Sequence, residues 1–147
     1  MRMKQAPTKC GKILLALSIA LSTVASAQVQ PSATVYIYRY KLTIGSATHP
    51  TVSCDASPVV RIQNGRVYTM KVPAGHHNFS TPDLSTGIEI AMEAGKEYFV
   101  RIDYPANATF AVHATPVLVA PEQGRKEVAK LRPLDGWYVE GASCGQA

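Results

Sequence analysis

Gly87-Ile-Glu-Ile-Ala-Met-Glu-Ala-Gly-Lys-Glu-Tyr-Phe-Val-Arg-Ile-Asp-Tyr104 is the stretch that decides the fold, because apolar and polar residues alternate along it on both sides of a turn. Before Ala94-Gly95 the apolar positions are 88, 90 and 92, and after it they are 98, 100, 102 and 104. A period of two is that of a strand with one buried and one wet face, which is typical of antiparallel sheets. The stretch therefore predicts two consecutive strands, at residues 87–93 and 96–104.

Further strands are predicted on both sides of this stretch. Thr34–Leu42 is rich in β-branched and aromatic residues, although which of its faces is buried stays open. Asn64-Gly65 predicts a type I′ hairpin between residues 59–63 and 66–72. Another strand follows the turn that ends at Gly75, and Pro116 makes the last strand, 110–119, an edge or bent one.

After Pro121 the pattern changes to one or two helical turns, with Val128 and Leu131 facing the body. About seven short strands separated by Gly, Pro and Asn turns predict an all-β fold. The expected architecture is a single immunoglobulin-like or prealbumin-like antiparallel β-sandwich with one short C-terminal helix. Gly65, Gly75 and Gly95 are expected to have structural roles in its turns.

Residues 1–27 are predicted to be a secretory signal peptide. Four basic residues and no acid precede an apolar run from Ile13 to Leu21, and the segment closes on the A-x-A site Ala25-Ser26-Ala27. The run is too short to span a membrane, and no later stretch of the sequence is longer. We expect cleavage after Ala27 and a periplasmic or secreted protein with a flexible N-terminus at 28–33, a sandwich domain at 34–131 and a C-terminal tail at 132–147.

Removal of the leader changes the charge of the chain. The formal net charge of +5 falls to +1, because Arg2, Lys4, Lys9 and Lys12 leave with the leader. Arg125, Lys126, Lys130 and Arg132 form the main basic cluster that remains, and Glu127 interrupts it. Nucleic-acid binding needs a basic patch on the folded domain, so no nucleic-acid partner is predicted. No cofactor is predicted either.

Two cysteines, Cys54 and Cys144, remain after the leader with Cys10 is removed. An even number of cysteines in an exported chain predicts a disulfide, because oxidising compartments permit one. Two unpaired thiols are the alternative. A zinc site is not expected, since two sulfurs alone do not close one.

The histidines are expected to be structural. His76 and His77 are adjacent, so on a strand they point to opposite faces. His77 shares the parity of Phe79, which predicts an inward ring bonded to backbone carbonyls. A metal site formed by His49, His76 and His113 is the alternative, but residue type alone supports it. No nucleophile motif or metalloprotease motif occurs in the sequence, and we predict no catalytic residues.

A binding surface is predicted from the aromatic residues. Stacked aromatics on a sheet offer rigid apolar area with a polar tip, which suits sugars or peptides. The alternative is that these side chains belong to the core or to cross-strand ladders. The candidates are Tyr36, Tyr38, Tyr40, Phe99 and Trp137.

Three motifs occur in order along the chain. They are Tyr36-Ile37-Tyr38-Arg39, then Asn64-Gly65 with Val72-Pro73-Ala74-Gly75-His76-His77, then Ala94-Gly95-Lys96-Glu97-Tyr98-Phe99-Val100-Arg101. Together they resemble the bacterial domain-of-unknown-function family numbered 2846, over about Thr34 to Leu131. The pattern is also similar to PEGA-type and carboxypeptidase-regulatory-like modules. The resemblance implies an exported β-sandwich, and it implies no chemistry.

Three functions of different classes remain open. The first is a non-enzymatic module that binds a protein or glycan of the bacterial envelope. The second is a structural or assembly accessory that uses an edge strand, with Pro116 and an uncovered first strand as the features of interest. The third is a metal-dependent or glycan-processing enzyme, which the sequence favours least.

Overall fold

A computed structural model describes residues 30–43, 46–82, 87–104, 113–141 and 143–145 of the chain. The predicted leader lies outside this part, and so do residues 110–112 at the start of the predicted strand 110–119. The elements in chain order are β1 Ser32–Tyr38, β2 Thr51–Cys54, β3 Ser57–Arg61, β4 Arg66–Pro73, β5 Gly75–Ser80, β6 Ile88–Met92, β7 Glu97–Asp103, β8 Thr115–Val119, α1 Pro121–Val128, β9 Arg132–Pro133 and a 3-10 turn at Gly136–Tyr138.

The strands form two sheets that enclose an apolar core, so the predicted all-β sandwich with a short C-terminal helix is confirmed. One sheet has the order β8-β7-β1-β4-β9 and the other the order β3-β2-β5-β6. Side chains of alternating strand positions meet between them, as a period of two requires. The fully or almost fully buried core residues include Val35, Ile37, Val52, Val60, Val72, Phe79, Ile90, Val100 and Ile102.

The strand directions differ from the purely antiparallel sandwich that the alternation predicted. β1 lies in the middle of its sheet and pairs with β4 antiparallel but with β7 parallel. β4 also pairs with β9 in parallel. The antiparallel prediction is wrong at these two pairs of strands. Between the two strands of each pair, the chain crosses to the other sheet and then returns. Alternation reports which face of a strand is buried and carries no information on its neighbour's direction.

The hairpin predicted at Asn64-Gly65 is also wrong. β3 and β4 belong to different sheets, so the turn at residues 63–66 carries the chain across the sandwich. Gly65 has a φ of +74°, whereas Asn64 has no positive φ, and a type I′ turn needs both. The tight two-residue connection occurs instead at Asp55-Ala56, between β2 and β3, where φ is 51° and 64°.

The two ends of the domain are more ordered than the predicted boundaries imply. β1 begins at Ser32 instead of Thr34 and ends at Tyr38 instead of Leu42. Ala33 is fully buried, so the described end of the 28–33 segment belongs to the sheet. The tail after residue 131 contributes β9 to one sheet, and Val139 forms a bridge to Val60 of the other. The tail therefore joins the two sheets.

α1 covers the outer face of the five-stranded sheet. Val128 and Leu131 pack there against a second cluster that contains Tyr38, Phe99 and Val119. Gly124 lies so close to the sheet that a Cβ at this position would be 2.2 Å from Cγ of Phe99. This glycine is therefore what lets the helix backbone rest directly on the ring.

Gly124→Ala is expected to destabilise the protein by about 2 kcal/mol, because the added methyl group displaces α1 from Phe99. In an isolated helix the same change stabilises by about 1 kcal/mol, so the sign is diagnostic. Urea denaturation measures the difference. Gly136→Ala is the matched control, because a Cβ there meets no atom within 4 Å. An unchanged or raised midpoint for Gly124→Ala would contradict the packing described here.

Candidate functional site

Two members of the predicted aromatic surface are buried, so the prediction is wrong for Tyr38 and Phe99. Their exposed fractions are 0 % and 1 %, because α1 lies over them. Tyr36 stacks on Phe99 with ring centroids 4.8 Å apart and an interplanar angle of 5°. Tyr40 is half-buried and packs edge-on against Tyr38 at 6.3 Å. Tyr36 and Phe99 are thus a cross-strand pair, and Tyr38 and Tyr40 pack together along one segment of the chain. Packing of this kind under and beside the helix is the alternative to a binding surface.

Trp137 is different, since 96 % of its side chain is exposed. It lies on the 3-10 turn Gly136–Tyr138, which is called the Trp137 turn below. An indole ring carries one of the largest apolar surfaces of any side chain. Tryptophan side chains are highly buried on average, so this degree of exposure is unusual for the residue type.

The Trp137 turn is held on both sides. Before it, the amide of Leu134 donates to the carbonyl of Val67 in β4 at 2.9 Å. After it, the amide of Glu140 donates to the carbonyl of Val59 in β3 at 3.1 Å. The ring of Tyr138 also contacts the ring of His49, with centroids 5.4 Å apart. The turn is thus fastened to both sheets, and its exposed indole projects from a fixed backbone.

A partly buried ionic cluster joins α1 to the sheet. This Glu127 network consists of Tyr38, Arg101, Asp103, Gln123 and Glu127. Glu127 accepts hydrogen bonds from the Tyr38 hydroxyl at 2.5 Å, from Gln123 Nε2 at 2.6 Å and from Arg101 Nη1 at 3.2 Å. Arg101 in turn holds Asp103 through two bonds, of 2.7 and 2.9 Å. Arg101 and Asp103 alternate with the apolar positions of β7, on the face that the period of two predicts to be wet, and α1 covers part of that face.

The electrostatics of the Glu127 network favour one fixed charge state. Burial disfavours the charged carboxylate, but hydrogen bonds from Tyr38, Tyr40, Gln123 and Arg101 outweigh it, and the pKa of Glu127 falls from 4.5 to about 2. Burial and the bond to Glu127 raise the pKa of Tyr38 well above its usual range. Neither group exchanges a proton near neutral pH. The network therefore anchors α1 and has the properties of a structural element rather than of an acid–base site.

The two cysteines form the predicted disulfide. Cys54 at the end of β2 is bonded to Cys144 in the tail, with a Cα–Cα distance of 5.2 Å. Both residues are buried. The bond ties the last described residues to the four-stranded sheet.

His77 lies beside this disulfide and is 6 % exposed. Its Nε2 is 2.9 Å from the carbonyl oxygen of Pro73, which agrees with the inward orientation and backbone partner predicted from its parity. Its Nδ1 is 2.7 Å from Oδ2 of Asp55, a contact that the sequence analysis missed. Both neighbours accept hydrogen bonds, so both ring nitrogens donate at once only in the imidazolium form. His76 points outward and pairs with Glu89 at 3.0 Å.

Asp55 completes this cluster by joining three segments. Its second oxygen accepts the amide of Asn78 at 2.9 Å. Burial raises its pKa, but hydrogen bonds from the amide of Asn78, from His77 and from the amide of Gly145 outweigh burial and hold the pKa below its usual range. A carboxylate that follows Cys54 directly in sequence thus pins the hairpin, β5 and the tail together. The only signal for it was the polar Ser53-Cys54-Asp55 segment.

Among the described residues, Cys54, His77 and Cys144 form a group that could hold a metal ion, with potential ligand atoms within 4.8 Å of one another. Cysteine binds metal ions as a thiolate, and a disulfide has no thiolate. Both ring nitrogens of His77 also lie within hydrogen-bond distance of other partners, Asp55 and the Pro73 carbonyl. In the disulfide form the group therefore connects the tail to the sheet. The alternative site of His49, His76 and His113 is not among the metal-ligand groups found in the described part.

Comparison of the chain with protein-family models, with curated proteins and with solved structures finds no match. Within the described residues, no helix has the length and apolar character needed to cross a membrane. The site residues are therefore interpreted from their geometry alone.

Proposed function

We propose that this protein is an exported, non-enzymatic β-sandwich module that binds a protein or glycan partner of the bacterial envelope through the Trp137 turn. The leader predicted at residues 1–27 and the motifs that resemble exported bacterial domains support the location. The disulfide is compatible with a compartment outside the cytoplasm. The single observation that carries the binding role is the exposed indole on a backbone fastened to both sheets.

The energetics favour an aromatic contact at this turn. Burying an indole of about 200 Å² against a partner gains about 5 kcal/mol before the costs of association. Because the backbone of the turn is already hydrogen-bonded to β3 and β4, little additional ordering is needed on binding. Tryptophan is also the residue type most enriched among side chains that dominate binding energies.

The chain offers a direct measurement, because Trp137 is its one tryptophan. We expect its fluorescence emission to be that of a water-exposed indole and to be quenched readily by acrylamide. Titration with purified envelope glycans, and separately with solubilised envelope proteins, should shift the emission to shorter wavelength and protect it from the quencher. Saturation with one fraction and not with the other identifies the class of partner.

Trp137→Ala is expected to weaken binding of that fraction by a factor of about 100, because the loss of a buried tryptophan anchor costs about 3 kcal/mol. Leu118→Ala is the matched control, since Leu118 is also exposed but lies on β8. The affinity of each variant for that fraction is measured with the variant immobilised on a surface. Equal losses in the two variants, or a Trp137 emission unaffected by every envelope fraction, would contradict the proposal.

The alternative role as an edge-strand accessory loses one of its premises. β1 is not uncovered, since β4 and β7 flank it on both sides. β8 is the terminal strand of its sheet and contains Pro116, whose missing N–H limits pairing at such an edge. The Trp137 turn is therefore the better-supported contact.

A further inference from the structure

A basic pocket lies at one end of the five-stranded sheet, away from the disulfide. Its volume is about 310 Å³, and three separate segments of the chain line it: Lys41, Asn64 to Arg66, and Lys130 to Arg132. We propose that this basic pocket binds a phosphate-type oxyanion, either free or carried by a larger molecule. The proposal goes beyond the proposed function, because it concerns a different surface and ligand chemistry.

The segments of the basic pocket are fixed by hydrogen bonds. The Asn64 side chain accepts the amide of Leu42 at 2.9 Å and donates to its carbonyl at 2.8 Å, which fastens Lys41 beside the turn. The amide of Arg132 donates to the carbonyl of Gly65 at 3.4 Å. Because Gly65 has no Cβ, the Lys41 side chain lies directly against it. The backbone that surrounds the pocket is thus held in place before any ligand arrives.

The charges that line the pocket have one sign. Four of its residues are cationic and none is acidic: Lys41, Arg66, Lys130 and Arg132. Arg66 is further held by a bond from Nη1 to the Pro133 carbonyl at 3.1 Å, and its Nη2 lies 3.7 Å from the carboxylate of Asp135. That exposed carboxylate offsets one of the four charges. The remaining excess of positive charge attracts an anion, because a concave surface lined by charges of one sign concentrates the electrostatic field.

The end of α1 does not account for this arrangement. Cations near the C-terminus of a helix are favoured by the helix dipole, which explains Arg125 and Lys126 in the last turn and also favours Lys130 just after it. It does not explain Lys41 after β1 or Arg66 at the start of β4, which are distant in sequence from α1. Their convergence on the same concave surface is the observation that points to a ligand.

The residue types suit an oxyanion. The arginine guanidinium matches two oxygens of a phosphate or of a carboxylate at once, whereas the lysine ammonium adds a compact charge. The volume exceeds that of a single phosphate and reaches the lower end of the range for small-ligand sites. A phosphate attached to a sugar or a lipid headgroup therefore fits as well as the free ion.

The test is a titration of the full chain with inorganic phosphate, followed by NMR and compared with chloride at equal ionic strength. We expect saturable shifts at residues 64–66 and 130–132. Lys130→Ala/Arg132→Ala should weaken the affinity at least about tenfold, because two charge-assisted contacts are lost. The charge-matched control is Lys71→Ala/Lys126→Ala, which removes two exposed lysines outside the pocket and should leave the affinity unchanged.

Vesicles of phosphatidylcholine with and without phosphatidic acid distinguish the sources of the phosphate. Free phosphate binding without vesicle binding supports a soluble ligand. Vesicle binding that requires phosphatidic acid and is lost in the pocket variant supports a lipid headgroup. Shifts identical in chloride, equal affinities in the pocket and control variants, or vesicle binding that the pocket variant retains would overturn the proposal.

Discussion

Loss of the Cys54–Cys144 disulfide is expected to lower the free energy of unfolding by about 4.6 kcal/mol, by the chain-entropy relation for a loop of this length. The bond joins residues 90 positions apart, so it restricts the unfolded chain strongly. It also holds the tail that carries the Trp137 turn against the four-stranded sheet. Urea denaturation of the oxidised protein and of Cys54→Ala/Cys144→Ala measures the difference.

A reductant provides the matched control for this experiment. It should lower the unfolding midpoint of the native protein to that of the double variant and leave the double variant unchanged. If thiol titration showed complete reduction while the midpoint of the native protein stayed the same, the disulfide would not contribute as described. The quenching of Trp137 tests in parallel whether the turn stays attached when the bond is absent.

Glu127→Gln is expected to destabilise the protein by about 3 kcal/mol at neutral pH, because the buried carboxylate loses its charge-assisted bonds to Tyr38 and Arg101. Arg101 keeps Asp103 as a partner, which limits the loss. Glu122→Gln in the first turn of the same helix is the matched control, because Glu122 is exposed. It should change the unfolding free energy by less than about 0.5 kcal/mol.

The pH dependence of stability separates the charge of Glu127 from its packing. Its pKa is about 2 in the folded protein and 4.5 ordinarily, so the folded state binds the proton less tightly than the unfolded state. The stabilisation is therefore complete above about pH 4.5 and is lost as the pH falls towards 2. The native protein should lose about 3 kcal/mol more than Glu127→Gln across this window. Parallel pH profiles for the two proteins would contradict an ionised Glu127 in the folded state.

The sequence was informative for several features that depend on near neighbours, although the hairpin predicted at Asn64-Gly65 was wrong. The alternation at 87–104 predicted β6 and β7 and their inward faces, and the parity of His77 predicted its burial. Strand period is set by backbone geometry, so a few residues suffice to detect it. The structural roles of Gly65, Gly75 and Gly95 in turns were predicted for the same reason, and all three glycines have a positive φ.

The Glu127 network and the basic pocket could not be found in this way. Arg101 alternates with apolar residues like any wet-face residue, and only the docking of α1 buries it. Lys41 and Arg66 belong to unremarkable segments and become part of one surface only when their ends meet. The sequence shows the basic cluster after residue 124, but it does not show that Lys41 and Arg66 lie beside this cluster.

The local pattern of the chain alone thus predicted a sandwich of short strands, its turn glycines and an inward His77, and the cysteine count predicted a disulfide between the two cysteines that remain after the predicted leader. The tertiary structure alone decided how the strands are ordered and directed, and which aromatic residues are covered. These properties depend on contacts between segments far apart in sequence, about which a period of two contains no information. Such long-range contacts produced the parallel β1–β7 pair, the burial of Tyr38 and Phe99, the exposed Trp137 and the convergence of Lys41, Arg66, Lys130 and Arg132.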